Sequence, residues 1–297
     1  YARCGFYQVS GAYGFRDQLQ DAMAAVYLRQ NLAKSIILRA ASHQFWEGDV
    51  QHWWHNLKAP HGYGHMGIRS RCSDDFLWLP YAVAHYISKT GDLNILDMQI
   101  PYIESAVLSK RESERYERPR ISNERESLYM HCVRAIEHAL CSFGEHGLPL
   151  IRSCDWNDGF SRVGIGGKGE SVWLGWFLIC VLQDFIPICN LRGDTNGVEK
   201  YTEMIQKLYL SLEANTYENG WSRRAFFDDG TKLGAASSEE CKIDLIPQAF
   251  AAISKMPKKS KALSALNAAY DCLYDARHAL IRLFWPPFVD GEKDPGY

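Results

Sequence analysis

Apolar residues recur along most of this chain at the three-to-four-residue interval of an α-helix. After Asp17, the residues Leu19, Met23, Val26 and Tyr27 line one face, and Leu32, Ile36, Ala40 and then Phe45 line another, which predicts two consecutive helices. The interval returns after Ser73, read as an N-cap with Asp74 and Asp75 in the first turn, and again from Leu128 through Cys132, Ala135, Ile136 and Ala139. Gly91 and Gly144 read as helix stops. Further helices are predicted over 171–184, 197–214 and 260–284. Strand-like alternation is nearly absent, and Asp229-Gly230, following Arg224-Ala225-Phe226-Phe227, is the one good hairpin candidate. The pattern describes an all-α chain of helix pairs joined by loops rich in Gly, Trp, His and Asp, with no exact internal repeat.

Composition narrows the choice of partners. The 297 residues can bury a substantial core, in one large domain or two small ones. With 33 Lys+Arg against 35 Asp+Glu, a net charge of -2 gives no reason to expect a nucleic acid. The longest apolar stretch, Ser171 to Leu182, is stopped by Gln183 and Asp184, short of the roughly 20 residues of a membrane span, so no transmembrane helix is predicted. Nine cysteines, odd in number and never spaced as CxxC, suggest neither a disulfide framework nor a zinc knuckle, and a reducing, cytoplasmic setting is expected. The first residue is Tyr1 and no signal peptide is visible, which suggests a piece of a longer protein.

Candidate chemistry concentrates in a few loops. Cys154-Asp155-Trp156-Asn157-Asp158-Gly159 flanks an indole and an amide with two acids. A pyranose offers an apolar face that stacks on indole and a rim of hydroxyls that wants carboxylates and amides, and cleaving its glycosidic bond needs a protonated carboxyl. An Asx turn with Trp156 packed inward explains the same residues equally well. In EGDVQHWWH (47–55), His52 and His55 share a face if a helix continues there, but no third zinc ligand is evident, so hydrogen-bonded histidines are favoured and no metal is predicted. In Gly11 to Asp21, Arg16 and a carboxylate at Asp17 or Asp21 can enter one pocket or complete a capped helix start. The charge run 110–126 reads as a solvated loop or exposed helix end, and the Gly-rich 161–170 fails the phosphate-loop spacing because Gly169 follows Lys168. No GxSxG elbow or local Cys/His pair supports an acyl-enzyme.

Taken in order, YQVSGAYGFRDQLQD (7–21), EGDVQHWWH (47–55), SDDFLWLPYAV (73–83), HGLPLIRSCDWNDGFSRVG (146–164) and GESVWLGWF (169–177) resemble glycoside hydrolase family 94. The resemblance is greatest to the phosphorylase-like domain of cyclic β-1,2-glucan synthases and to β-1,2-oligoglucan phosphorylases. It continues through EECKID (239–244) and PPF (286–288) to DPGY (294–297). It implies a six-hairpin α/α barrel, a single catalytic domain over 1–297 that stops short of the family's C-terminal helices, and a sugar cleft built from loops at one end. If the parent is a glucan synthase, its membrane-associated parts would lie outside this chain.

The resemblance also implies site residues. The general acid would be Asp158, with Trp156, Arg16 and Asp21 holding the sugar, Asp75 joining them, and Arg3 contacting phosphate. Inorganic phosphate would be the co-substrate and no cofactor would be needed. The expected reaction is inverting phosphorolysis of a β-glucan or β-disaccharide to α-sugar 1-phosphate. Phosphate is already anionic, so it needs a cationic seat rather than the second carboxylate that an inverting hydrolase uses to deprotonate water. The alternatives are such a hydrolase, with a base such as Asp21, and a non-catalytic glucan-binding or length-control domain. The sequence leaves linkage, sugar identity and any homo-oligomer open.

Overall fold

The helical interval is realised, among the described residues, in eight helices: α1 (Phe15–Ala25), α2 (Gln30–Ala41), α3 (Trp78–Thr90), α4 (Leu128–Leu140), α5 (Val172–Arg192), α6 (Thr195–Asn215), α7 (Leu245–Ile253) and α8 (Lys259–Leu273). They belong to a computed structural model that describes residues 10–255, 257–289, 291 and 293–296. The chain divides into two compact units, Tyr1–Cys141 and Ser142–Tyr297.

In the first unit α1 packs on α2 and α3, and α3 also packs on α4. Phe15, Leu19 and Ala22 of α1 and Ala33, Ile36, Ile37 and Ala40 of α2 form the buried stripes that the periodicity requires. Pro80 sits in the first turn of α3, where its missing N–H costs no hydrogen bond, and Gly91 ends the helix in the left-handed conformation (φ 70°). Strands are more abundant than the alternation predicts. β1 (Ala12–Gly14), β2 (Gln51–His55), β3 (Gly67–Ser70), β4 (Gln99–Glu104), β5 (Glu114–Glu117) and β6 (Arg120–Ser127) make a four-stranded antiparallel sheet in the order β1-β2-β3-β5 and a β4–β6 pair. Two features hide them from sequence reading. Irregularities at Gln51/Trp53 and Pro101/Ile103 break the period of two, and β6 is largely exposed on both faces. The charge run 110–126 therefore contains β5 and most of β6, where a loop or helix end was expected.

In the second unit α5 packs on α6 and α7, and α7 packs on α8. Ser171 caps α5, its Oγ accepting from the Leu174 amide at 3.0 Å, and Asp194 caps α6 through the Gly197 amide at 2.9 Å. The apolar run does not stop at Gln183: α5 extends 21 residues to Arg192, and by length and composition alone it could cross a membrane. Most of it is buried, and the Gln183 amide donates to the Tyr209 hydroxyl at 2.9 Å and the Ser254 carbonyl at 3.0 Å. The hairpin at Asp229-Gly230 forms, pairing Ala225–Phe226 with Lys232–Leu233. The helix expected over 260–284 ends at Leu273, because Asp275 accepts the amides of Arg277 and His278 and closes a turn between Tyr274–Asp275 and Leu280–Ile281. Likewise α4 ends at Leu140, and Gly144 lies beyond it in a turn closed by its amide on the Leu148 carbonyl.

Candidate active site

In the first unit the start of α1, strand β2 and the turn before α3 bring charged groups together under cover. Arg16 is buried and its Nη1 donates to Asp74 Oδ1 at 2.9 Å, with Asp75 Oδ1 at 3.6 Å. Asp74, expected in the first turn of the next helix after an N-cap at Ser73, accepts from Arg16, from the Trp78 indole at 2.9 Å and from the Cys72 thiol at 3.2 Å. Its side chain makes no cap bond, and a short 3₁₀ turn, Asp75–Leu77, leads into α3. Asp75 is buried as well, and one of its oxygens, Oδ2, meets His52 Nδ1 at 2.7 Å.

That pair sets the local electrostatics. Burial works against a charged His52, but the charge and hydrogen bond of Asp75 outweigh it and hold the imidazole well above its usual range. Burial also opposes ionisation of Asp75, and His52 followed by Arg16 overcomes it and keeps the carboxyl low. Among the described residues Asp75 Oδ1 has no hydrogen-bond partner, so one buried acceptor remains for a hydroxyl. The ligand atoms of Cys72, Asp74 and Asp75 lie within 4.8 Å of one another, and Arg16 supplies the positive charge among them.

Sequence reasoning missed His52 as the partner of Asp75. The conditional helix through 47–55 is strand β2, in which residues three apart face opposite sides, so His52 and His55 have different neighbours. Asp21 lies one turn beyond Asp17 on α1 and is half-buried. One partner of Arg16 is therefore a carboxylate 58 residues away in sequence. Arg3 lies outside the described residues.

In the second unit the two acids of the DWND segment separate. Asp155 is fully buried and takes two guanidinium hydrogen bonds from Arg224, both 2.6 Å, and the Ser171 hydroxyl at 2.6 Å. Arg224 also donates to Asp244 at 3.1 Å, and Asp244 caps α7 through the Ile246 amide at 2.9 Å. One buried arginine thus ties the loop at 154–159 to the starts of α5 and α7. Burial opposes the Asp155 charge, but Arg224 holds its carboxyl below the usual range. Asp158 differs: it opens a 3₁₀ turn, Asp158–Phe160, is half-buried, and accepts from the Cys154 thiol at 3.7 Å. Trp156 between them is half-buried, while Asp155 and Asn157 accept the amides of Asn157 and Gly159 in the Asx turns that the sequence allowed.

Two carboxylates on one arginine leave an excess buried negative charge. Burial lifts the Asp244 carboxyl to about 6, Arg224 and the Ile246 amide oppose the lift, and Asp155 adds to it. Between the ordinary range near 4 and pH 6 the folded protein holds a proton that the unfolded chain has lost, so this group lowers stability as pH rises through that window, by about 3 kcal/mol in all. Asp244→Asn keeps the cap acceptor and removes the titration. Its stability relative to the unsubstituted protein is therefore expected to improve steadily from pH 4 to pH 7 in denaturant titrations, and parallel pH curves would contradict the assignment.

The Gly-rich segment 161–170 does form a nest of amides, and the Asp228 carboxylate occupies it, accepting from Gly166 at 2.6 Å, Lys168 at 2.8 Å and Gly169 at 2.9 Å. A Cβ at Gly169 would meet the Val163 carbonyl at 2.5 Å, so the close approach itself requires glycine. An internal anion takes the seat that a phosphate would use.

Comparison with known proteins defines the class. Residues 1–297 match the model of the glycosyl hydrolase 94 superfamily, catalytic domain, and the chain belongs to that family. Among relatives, it is 42% identical over 296 residues to the cyclic beta-(1,2)-glucan synthase NdvB of Rhizobium meliloti (strain 1021), covering 100% of this chain and 10% of that protein. It is 28% identical over 278 residues to the solabiose phosphorylase of Paenibacillus borealis, covering 93% of this chain and 32% of that one. The chain thus spans between a tenth and a third of the length of these relatives. Among solved structures, the GH63 mannosylglycerate hydrolase from Thermus thermophilus in complex with glucose aligns with a TM-score of 0.59 at 13% identity, over 90% of this chain and 71% of that one. That likeness shows the fold, which is of the α/α-toroid class.

Proposed function

We propose that this chain carries out inverting phosphorolysis of β-glucosidic bonds, with Asp158 as general acid and a β-1,2-glucan or related β-disaccharide as substrate. The contrast within the DWND segment supports the acid most directly. Asp155 is locked as a carboxylate by Arg224 and has no proton to give, whereas Asp158 is half-buried and outside that ion pair. In the reaction, a phosphate oxygen forms a bond to the anomeric carbon from the face opposite the leaving group. The bond to the glycosyl oxygen breaks, and that oxygen takes the Asp158 proton. The products are α-glucose 1-phosphate and a glucan shortened by one unit.

Trp156 offers an indole for the sugar face, Arg16, Asp21 and Asp75 offer partners for its hydroxyls, and Arg3 offers a cation to phosphate. The β-1,2 linkage is supported by the 42% identity to a protein named as a cyclic β-(1,2)-glucan synthase. The same relative favours a second reading, a glucan-binding or length-control role within a larger synthase. Release of glucose 1-phosphate from linear β-1,2-linked glucose oligomers and from cellobiose, with and without inorganic phosphate, separates these. Phosphate-dependent product from the β-1,2 oligomers is expected. Turnover in water alone would replace the reading with hydrolysis, and glucan binding without turnover would replace it with the binding role.

A further inference from the structure

Strand β2 carries adjacent tryptophans with opposite environments. Trp54 is fully buried, stacked on His43 with centroids 3.7 Å apart and edge-on to Phe15 at 6.4 Å. Trp53 and His55, one residue to either side, project from the other face of the strand and are half-buried. The register Trp53↔Ile68 and Ile68↔Tyr116 brings Tyr116 of β5 onto that same face, across β3. The three rings touch in a cluster: Trp53 to His55 at 5.3 Å, Trp53 to Tyr116 at 5.7 Å and His55 to Tyr116 at 6.2 Å between centroids.

We infer that this outward face of the β2–β3–β5 sheet is a carbohydrate-stacking platform, on which Trp53, His55 and Tyr116 receive glucose units of a glucan chain. Single exposed aromatics are ordinary on protein surfaces, but three in mutual contact on one sheet form an apolar patch in water, with Tyr116 50% exposed. The Trp53 indole N–H, the His55 ring nitrogens and the Tyr116 hydroxyl make no side-chain hydrogen bond among the described residues. The next cross-strand pair on the same face, Ser70↔Glu114, adds a hydroxyl and a carboxylate beside the rings.

An apolar surface ringed by donors and acceptors matches a pyranose, whose C–H face stacks while its equatorial hydroxyls reach outward. Anchoring on three paired strands fixes the rings before binding, so little side-chain freedom is lost on contact. The site rests on the reading of this chain as a protein that handles β-glucosides. It differs from the sugar-holding residues assigned above, none of which belongs to it.

Titrating the 297-residue chain with linear β-1,2-linked glucose oligomers, followed by tryptophan fluorescence and calorimetry, tests the platform. Trp53→Ala and Tyr116→Ala are each expected to weaken oligomer binding about tenfold. Tyr116→Phe, which keeps the ring, is expected to stay within about twofold. Circular dichroism and the melting temperature report folding, and the half-exposed Tyr116 provides a variant with little folding cost. Unchanged affinity in both alanine variants would overturn the platform, as would failure of the unsubstituted chain to bind any oligomer. Turnover is read separately: intact phosphorolysis with unchanged affinity in both alanine variants sinks the platform alone, and ring-dependent binding without phosphorolysis sinks the proposed activity alone.

Discussion

Asp158→Asn is expected to lower phosphorolytic turnover by about 10²–10⁴-fold while oligosaccharide affinity stays within a few-fold. The amide is nearly the same shape as the carboxyl but has no acidic proton for the leaving oxygen, so the loss falls on the chemical step and not on binding. Asp155→Asn is the necessary control, because it changes the same chemical group three residues earlier. There the damage should appear as instability, since Arg224 would lose the carboxylate that takes two of its hydrogen bonds. Comparing kcat and chemical denaturation for the two variants checks the division of labour. If Asp155→Asn removed turnover in a fully stable protein while Asp158→Asn left it intact, the roles would be reversed.

Arg224→Met is expected to cost about 3–5 kcal/mol of stability, a large fraction of what a folded domain has to lose. Arg224 is fully buried, and its loss would leave Asp155 and Asp244 together in a dry interior without a cation. Burial disfavours the guanidinium charge too, but Asp155 and then Asp244 more than compensate and push its pKa upward. Carboxylates stranded this way take up protons, so the loss should be larger at pH 7 than at pH 4. Adding Asp155→Asn and Asp244→Asn to Arg224→Met should recover much of the deficit at pH 7, because no buried charge then remains unpaired. Urea titrations at the two pH values measure both effects, and a single variant as stable as the parent would refute the account.

The helices were legible because burial imposes its period on neighbouring residues. Ile36, Ile37 and Ala40 of α2, or Leu128, Cys132, Ala135 and Ile136 of α4, face one core and so repeat at the helical interval. Caps at Ser171 and Asp194 and the left-handed Gly91 are equally local, which makes those ends readable to within a few residues, whereas α5 runs past the expected stop at 184 to Arg192. Apart from the hairpin at Asp229-Gly230, the strands were not legible, since β2 and β4 contain irregularities and β6 has no buried face to alternate with. Arg224 was overlooked as a functional residue, although an arginine pair set against Ala225-Phe226-Phe227 is a visible charge in an apolar strand.

The order of its motifs was enough to place this chain in its family and to nominate the DWND segment as its chemical centre. It could not name Arg224 as the partner of Asp155, nor the partners of Arg16 and Asp75, because those contacts depend on residues far along the chain. Arg224 reaches Asp155 across 69 positions, Asp74 meets Arg16 across 58, and His52 meets Asp75 across 23. Periodicity reports which side of an element is apolar. Whether a buried carboxylate is held ionised depends on which opposite charge folding brings within about 3 Å of it in a poorly screened interior.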